Sequence, residues 1–168
     1  MEKERILNGI KEIAPYIGII ILVLVIKHFF FTTVIVHGSS MENTLHDKDI
    51  MILNKLSTRM GKIKRFDIVV IDNGDERLIK RVIGLPGEEI EYKENKLYID
   101  GKVVKDNHGG DKYTADIKAK ILGPGEYYVL GDNRTNSVDS RMLGPINKKK
   151  IIGKATFTIF PFNRIGLK

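Results

Sequence analysis

An apolar run near the N-terminus, "IAPYIGIIILVLVIKHFFF" from Ile13 to Phe31, constrains this chain more than any other feature. Its uninterrupted core, Ile13 to Ile26, holds 14 residues, about 21 Å of helix at ~1.5 Å per residue. A bilayer core is about 30 Å thick, so that length alone fits a signal-peptide core or a buried helix equally well. Continuing to Phe31 gives about 28 Å, provided Lys27 snorkels toward the headgroups. The run predicts one spanning helix over 13–31, with Pro15 in its first turn, where a missing N–H matters little. No small-x-small pattern follows the core, which argues against a cleaved signal peptide. Lys3, Arg5 and Lys11 precede the run while only Lys27 closely follows it, a balance that favours a cytoplasmic N-terminus. Residues 1–12 then form a charged cytoplasmic segment, and 32–168 an extracytoplasmic domain.

Past the run, period-two patterns dominate. "TTVIVHG", "DIMILNK", "DIVVID", "RLIKRVIGL", "EYYVLGD" and "GKATFTIFP" each read as a strand. "EEIEYKENKLYIDGKVV" reads as a hairpin turning at Lys93 to Lys96, with a second turn at Asp100-Gly101. Lys105 to Lys120 is polar and reads as a flexible excursion. No helical period stands out beyond the first helix, so 32–168 is expected to be one mainly β domain of antiparallel sheets and hairpins.

Composition excludes some chemistry. There is no cysteine, hence no disulfide, thiol nucleophile or thiolate metal site. No metal-ligand spacing such as H-E-x-x-H occurs, and no metal or other cofactor is expected. Basic residues exceed acidic ones, 28 to 21, for a net charge of +7. That charge permits contact with nucleic acid or anionic lipid, but a solvated basic surface is the commoner outcome, and no nucleic-acid reading motif is present.

Three segments could carry chemistry. In "VHGSSMENTL", Val36 to Leu45, two serines follow a glycine just after the apolar run. His37 and His46 flank them and could pair with a serine, with Asp47 or Asp49 as orienting carboxylate; His28 and His108 lie elsewhere in the chain. In "LIKRVIGLPG", strand alternation puts Leu78, Lys80 and Val82 on one face and Ile79, Arg81 and Ile83 on the other. Apolar neighbours would lower the Lys80 pKa by desolvation and let a neutral amine take a serine proton. On pattern alone, a lysine with its amine in water is the commoner case. In "GDNRTNSVDSR", Gly131 to Arg141, Asp132, Arg134, Asp139 and Arg141 could pair and hold a loop, or form an ordinary solvated turn.

Taken in order, the apolar run, "VHGSSMENTL", "RFDIVVI", "LIKRVIGLPGE", "KLYIDGKVV", "YYVLGDNRTNSVDSR" and "GKATFTIFP" resemble the type I signal peptidases, Ser–Lys serine endopeptidases, in their single-span branch. The resemblance covers nearly the whole chain. It implies Ser40, directly before Met41, as nucleophile and Lys80 as general base. It implies Ser137 as the residue orienting Lys80, with Asp132 and Arg81, and Asp139 and Arg141, as supporting pairs. Val36, Met41, Leu45, Leu78 and Ile79 correspond to the wall of shallow pockets that accept small side chains. The implied partners are the lipid bilayer and membrane-bound preproteins with small-x-small cleavage sites, cut at the cell membrane. Two positions depart from the family pattern. Gly38 stands where some relatives place a second oxyanion-binding serine, and Asn43 where many place proline. A self-cleaving Ser–Lys peptidase of the SOS-repressor type shares the dyad but has no use for the first forty residues. A membrane-tethered, non-enzymatic β domain would keep the anchor but would not need Ser40 with Lys80.

Overall fold

The computed structural model describes residues 2–61, 63–109 and 114–167, the side chains of 2–10 and 28 excepted. The side chains of Lys3, Arg5 and His28, and Gly110 in the polar excursion, lie outside the described residues.

The chain opens with α1, Glu2–Phe30. It starts well before the expected 13 and stops one residue short of 31. The charged segment 2–12 is rich in Glu, Lys, Ile and Leu and propagates the helix, so Pro15 lies inside it rather than in its first turn. Ile13, Tyr16, Ile17 and the residues from Ile19 to Ile26 are exposed, mostly by half or more. The described α1 side chains run from 11 to 27 without a break, about 26 Å of helix, and among the described residues no helix is long and apolar enough to cross a membrane.

Among the described residues twelve strands follow: β1 Phe31–Ile35, β2 Ile50–Asn54, β3 Ile68–Asp72, β4 Arg77–Gly84, β5 Glu89–Lys93, β6 Lys96–Ile99, β7 Lys102–Val104, β8 Ile117–Ile121, β9 Glu126–Leu130, β10 Ile146–Asn147, β11 Ile151–Phe160 and β12 Gly166–Leu167. They form two antiparallel sheets. The larger runs β1-β2-β11-β3-β4-β9-β10, with β12 paired to β11. The smaller runs β7-β6-β5-β8. Every strand read from alternation is present. The polar excursion is not wholly irregular, because β8 pairs with β5. Two one-turn helices were not expected, α2 Leu56–Arg59 and α3 Ser140–Leu143.

The larger sheet encloses an apolar cluster of Val36, Met41, Leu45, Met51, Leu53, Ile68, Val70, Ile79 and Ala155. The smaller sheet packs on it through Ile83, Ile90, Leu97, Leu122 and Leu130. That junction needs Gly84, where a Cβ would stand 2.6 Å from Ile90 Cγ2 and 2.7 Å from Leu122 Cδ1. Two strand margins stay open. β1 ends the larger sheet and pairs only with β2. β4 pairs with β3 from Arg77 to Arg81 but with β9 only from Arg81 onward, so one margin of Arg77–Lys80 is unpaired.

Candidate active site

Ser40 lies in the turn that follows β1. Met41 and Leu45, 1% and 0% exposed, plug the turn into the core. Backbone N–H groups of Glu42, Thr44 and Leu45 close it onto the carbonyls of Ser39 and Met41. Asn43 adopts φ +83°. Proline, fixed near −65°, is impossible there, so this turn differs in shape from a proline turn rather than being a looser copy of one.

Lys80 comes from the middle of β4, and its Nζ lies 2.7 Å from Ser40 Oγ. The lysine is 2% exposed. Burial lowers its pKa below the ordinary lysine value, against the opposing pull of Asp139, Glu76 and Asp132. The alternation of β4 explains the placement. Leu78 and Lys80 share the face that lines one cavity of about 450 Å³, together with Glu76 from the bend before β4, His37, Ser40, Ser137 and Met142. Arg77 and Ile79 face a neighbouring cavity of about 460 Å³, whose opposite wall is Thr33, Val34 and Ile35 of β1. The two open strand margins therefore border one groove that leads to Ser40. His37 and His46 are exposed and neither bonds Ser40, and His108 packs against Phe66 at 5.0 Å between ring centroids. Asp47 accepts a hydrogen bond from the Gly38 N–H at 3.0 Å, and Asp49 pairs with Arg164. Neither carboxylate orients a histidine.

The segment after β9 holds the turn from the other side. Asn133 donates its backbone N–H to the Ser40 carbonyl at 3.0 Å and its Nδ2 to the Ser39 carbonyl at 3.1 Å. Asn136 Nδ2 donates to Ser39 Oγ at 2.9 Å. Arg81 grips Asp132 with Nε and Nη2 at 2.8 and 2.6 Å, and Thr44 Oγ1 donates to the same carboxylate at 2.6 Å. Arg141 grips Asp139 with two bonds of 2.8 Å, and Asp139 also accepts the Gly131 N–H at 3.0 Å. Burial alone would raise the Asp139 pKa, but Arg141 and the Gly131 N–H hold it below the ordinary carboxylate value. A second buried arginine, Arg134, bonds the Gly131 carbonyl at 3.0 Å, Thr114 Oγ1 at 2.9 Å and Tyr92 Oη at 3.1 Å, and pairs with Asp106. This ties the smaller sheet to the Ser40 turn.

The sequence-derived site residues converge, with two corrections. Ser137 faces the Ser40 cavity, but the expected hydrogen bond to Lys80 is not formed; among the described residues its buried Oγ meets no partner at ordinary hydrogen-bond geometry, though it stands near enough to Asp139 to help hold that carboxyl low. Leu78 and Ile79 do line the groove, whereas Val36, Met41 and Leu45 line neither cavity. They sit beneath the groove in the core because the turn they flank needs apolar anchors. Sequence reasoning missed Thr44, Gly131, Asn133, Asn136 and Asp106. The Gly131-Asp132-Asn133 triplet, of a composition that favours tight turns, was the available signal for Gly131 and Asn133; it does not reach Asn136. Among the described residues no group of three or more His, Asp or Glu is arranged to hold a metal.

Comparison with known proteins identifies the family. Residues 10–160 match the family described as "Signal peptidase, peptidase S26". A signal peptidase I of Bacillus licheniformis is 41% identical over 160 residues, covering 87% of this chain and 86% of that protein. Signal peptidase I S of Bacillus subtilis is 37% identical over 176 residues, covering 98% and 94%. The crystal structure of a signal peptidase I from Enterococcus faecalis superposes with a TM-score of 0.52 at 33% identity, over 56% of this chain and 97% of that one. With most of its length matched by sequence and its β scaffold by structure, this chain belongs to the signal peptidase family, peptidase S26.

Proposed function

We propose that this chain is a membrane-anchored serine endopeptidase that removes signal peptides from exported preproteins, with Ser40 as nucleophile and Lys80 as general base. The observation that carries the reading is the 2.7 Å approach of a buried, desolvated lysine amine to Ser40 Oγ.

The preprotein's cleavage region adds as a strand between the open margins of β1 and β4, by main-chain hydrogen bonds. Leu78 and Ile79 bound shallow pockets that take small side chains and reject large ones by overlap. Neutral Lys80 accepts the Ser40 proton as Oγ bonds to the scissile carbonyl carbon. The Ser40 N–H makes no hydrogen bond among the described residues and is free to hold the oxyanion. The Gly38 N–H is engaged by Asp47, and Gly38 brings no hydroxyl. The ammonium of Lys80 protonates the leaving amine as the acyl-enzyme forms. Lys80 then takes a proton from water, which attacks the acyl carbon and releases Ser40. Asp132–Arg81 and Asp139–Arg141 hold this constellation in place, and Ser137 borders it.

α1 serves as the anchor. Its backbone spans Glu2–Phe30 and its apolar residues from Ile13 to Ile26 are exposed, as lipid contact requires. Residues 1–12 lie in the cytoplasm and 32–168 outside it. Anchoring enzyme and substrate in one membrane raises their effective concentration. Phe160, Phe162, Ile165 and Leu167 are exposed at the far end of β11 and beyond it, and rest against the bilayer.

The test is preprotein hydrolysis by the full chain in detergent or liposomes, with Ser40→Ala and Lys80→Ala alongside. Loss of cleavage in both variants, with folding retained, is expected. Persistent cleavage in either refutes the dyad. A truncated variant lacking residues 1–31 tests the apolar end: residual vesicle binding supports it, and complete loss removes it.

A further inference from the structure

We infer that Glu76 is a specificity-determining residue, favouring a basic and disfavouring an acidic side chain at the fifth substrate position before the scissile bond. The inference rests on the signal-peptidase reading of the groove.

Three observations lead there. Glu76 is exposed and lines both cavities of the groove. Its carboxylate makes no hydrogen bond or ion pair among the described residues, while Asp49, Asp67, Glu88, Asp106, Asp132 and Asp139 each pair with a basic residue. Among the described residues Glu76 is also the one acidic side chain lining the Ser40 cavity, and the charged neighbour Arg77 lines the other cavity. With Lys80 neutral, as catalysis requires, Glu76 dominates the charge of that cavity.

Strand geometry fixes the substrate position. Glu76 lies in the bend just before β4, four residues ahead of Lys80, and borders the same cavity as Leu78 and Lys80; continued at strand spacing, that is about 13 Å at ~3.3 Å per residue. An extended peptide with its first acyl-side residue at Ser40 brings its third residue beside Leu78 and its fifth beside Glu76. The second and fourth point to the other side.

The charge also reaches the catalytic amine. The acidic groups acting on Lys80 are Asp139 from the loop before α3, Glu76 beside β4 and Asp132 after β9. Asp139 and Asp132 are held by Arg141 and Arg81, and His37 lines the same cavity. Glu76 alone lacks a cationic partner, so a substrate cation beside it offsets its pull on Lys80.

The experiment measures kcat/KM of wild type, Glu76→Gln and Glu76→Lys on three peptides bearing Lys, Gln or Glu at the fifth acyl-side position. A matched set varies the fourth position. Preference is read as a ratio within each variant, so overall loss of activity does not affect it. Wild type is expected to favour Lys over Glu by about two- to fivefold, the range of an exposed charge pair, with the ratio shrinking as salt is added. Glu76→Gln should flatten the ratio and Glu76→Lys should invert it, with a weaker effect at the fourth position. A wild-type ratio near one, or a ratio unchanged by Glu76→Gln, overturns the inference while leaving the peptidase reading intact. Failure of the wild type to cleave even the glutamine peptide overturns both.

Discussion

Replacing Gly131 by alanine probes how tightly the Ser40 turn is held, and the structure gives the size of the intrusion. The new Cβ would stand 2.2 Å from Ser137 Oγ, 2.5 Å from Ser137 Cβ and 2.5 Å from the Ser40 carbonyl oxygen. Ordinary contact begins near 3.4 Å, so each neighbour must yield by about 1 Å. The backbone cannot swing away easily. The Gly131 N–H is tied to Asp139, its carbonyl to Arg134, and the Ser40 carbonyl to the Asn133 N–H. Overpacking of this kind costs about 1–3 kcal/mol, or a fall in Tm of roughly 2–12 °C for a chain of this size. A displacement of about 1 Å at a catalytic group costs about 10²-fold in rate.

The assay pairs thermal unfolding with kcat/KM. Ser137→Gly removes both side-chain atoms that meet the new methyl but leaves the clash with the Ser40 carbonyl. The double variant should therefore recover much of the lost Tm. Its activity should stay far below that of Ser137→Gly alone, because Ser40 is still displaced. Gly131→Ala within threefold of wild type, or a double variant as active as Ser137→Gly, would refute the reasoning.

Further expectations follow from the same contacts. Asp132→Ala leaves Arg81 buried without its carboxylate and should destabilise by about 3–5 kcal/mol, read by chemical denaturation; a loss under 1 kcal/mol contradicts the pairing. Asn43→Gly should be tolerated at φ +83°, whereas Asn43→Pro should lower both Tm and activity; equal behaviour of the two would mean that the turn is not left-handed. Glu76→Gln removes a charge that favours the Lys80 ammonium, so the alkaline-rising limb of the pH–kcat/KM profile should move to lower pH; no movement would separate Glu76 from the amine.

Much of the scaffold was legible because its strands alternate. β4 carried the strongest signal, and its alternation correctly put Leu78 with Lys80 and Ile79 on the other face. β8 was not legible, since Ile117–Ile121 is largely exposed and held by main-chain pairing with β5, which leaves little trace in side-chain chemistry. β10 and β12, two residues each, are too short for any period to show. At the site, the residue types pointed to Ser40 and Lys80 only once the order of motifs was compared with a family. Alternation could say which way Lys80 points but not what covers it. Asn133 and Asn136 escaped notice because their work is done by main-chain and amide hydrogen bonds across more than ninety residues of sequence. The Val36, Met41 and Leu45 assignments went astray for a related reason: sequence neighbours of a nucleophile can face the core as readily as the ligand.

Desolvation outweighs the acidic neighbours of Lys80 and lowers its pKa. Asp132 and Asp139 stand close enough to favour the Lys80 ammonium, yet each is gripped by an arginine through two hydrogen bonds. Asp139 above all, and Asp132 less, still pull the amine's pKa upward, but desolvation is the larger effect. The linkage sign follows. A lysine whose folded pKa lies below its unfolded value of 10.5 binds fewer protons in the native state across the interval between the two. Stability therefore rises with pH through that interval, and the penalty of the buried amine is complete only below the folded pKa. Activity has the same sign, because only the neutral amine can accept the Ser40 proton. Lys80→Met should abolish cleavage and yet raise Tm near neutral pH, by a margin that shrinks as pH approaches 10.5. A Lys80→Met variant less stable than wild type at pH 7 would mean that the amine is charged and compensated in the native state, and a proton acceptor other than Lys80 would then be required.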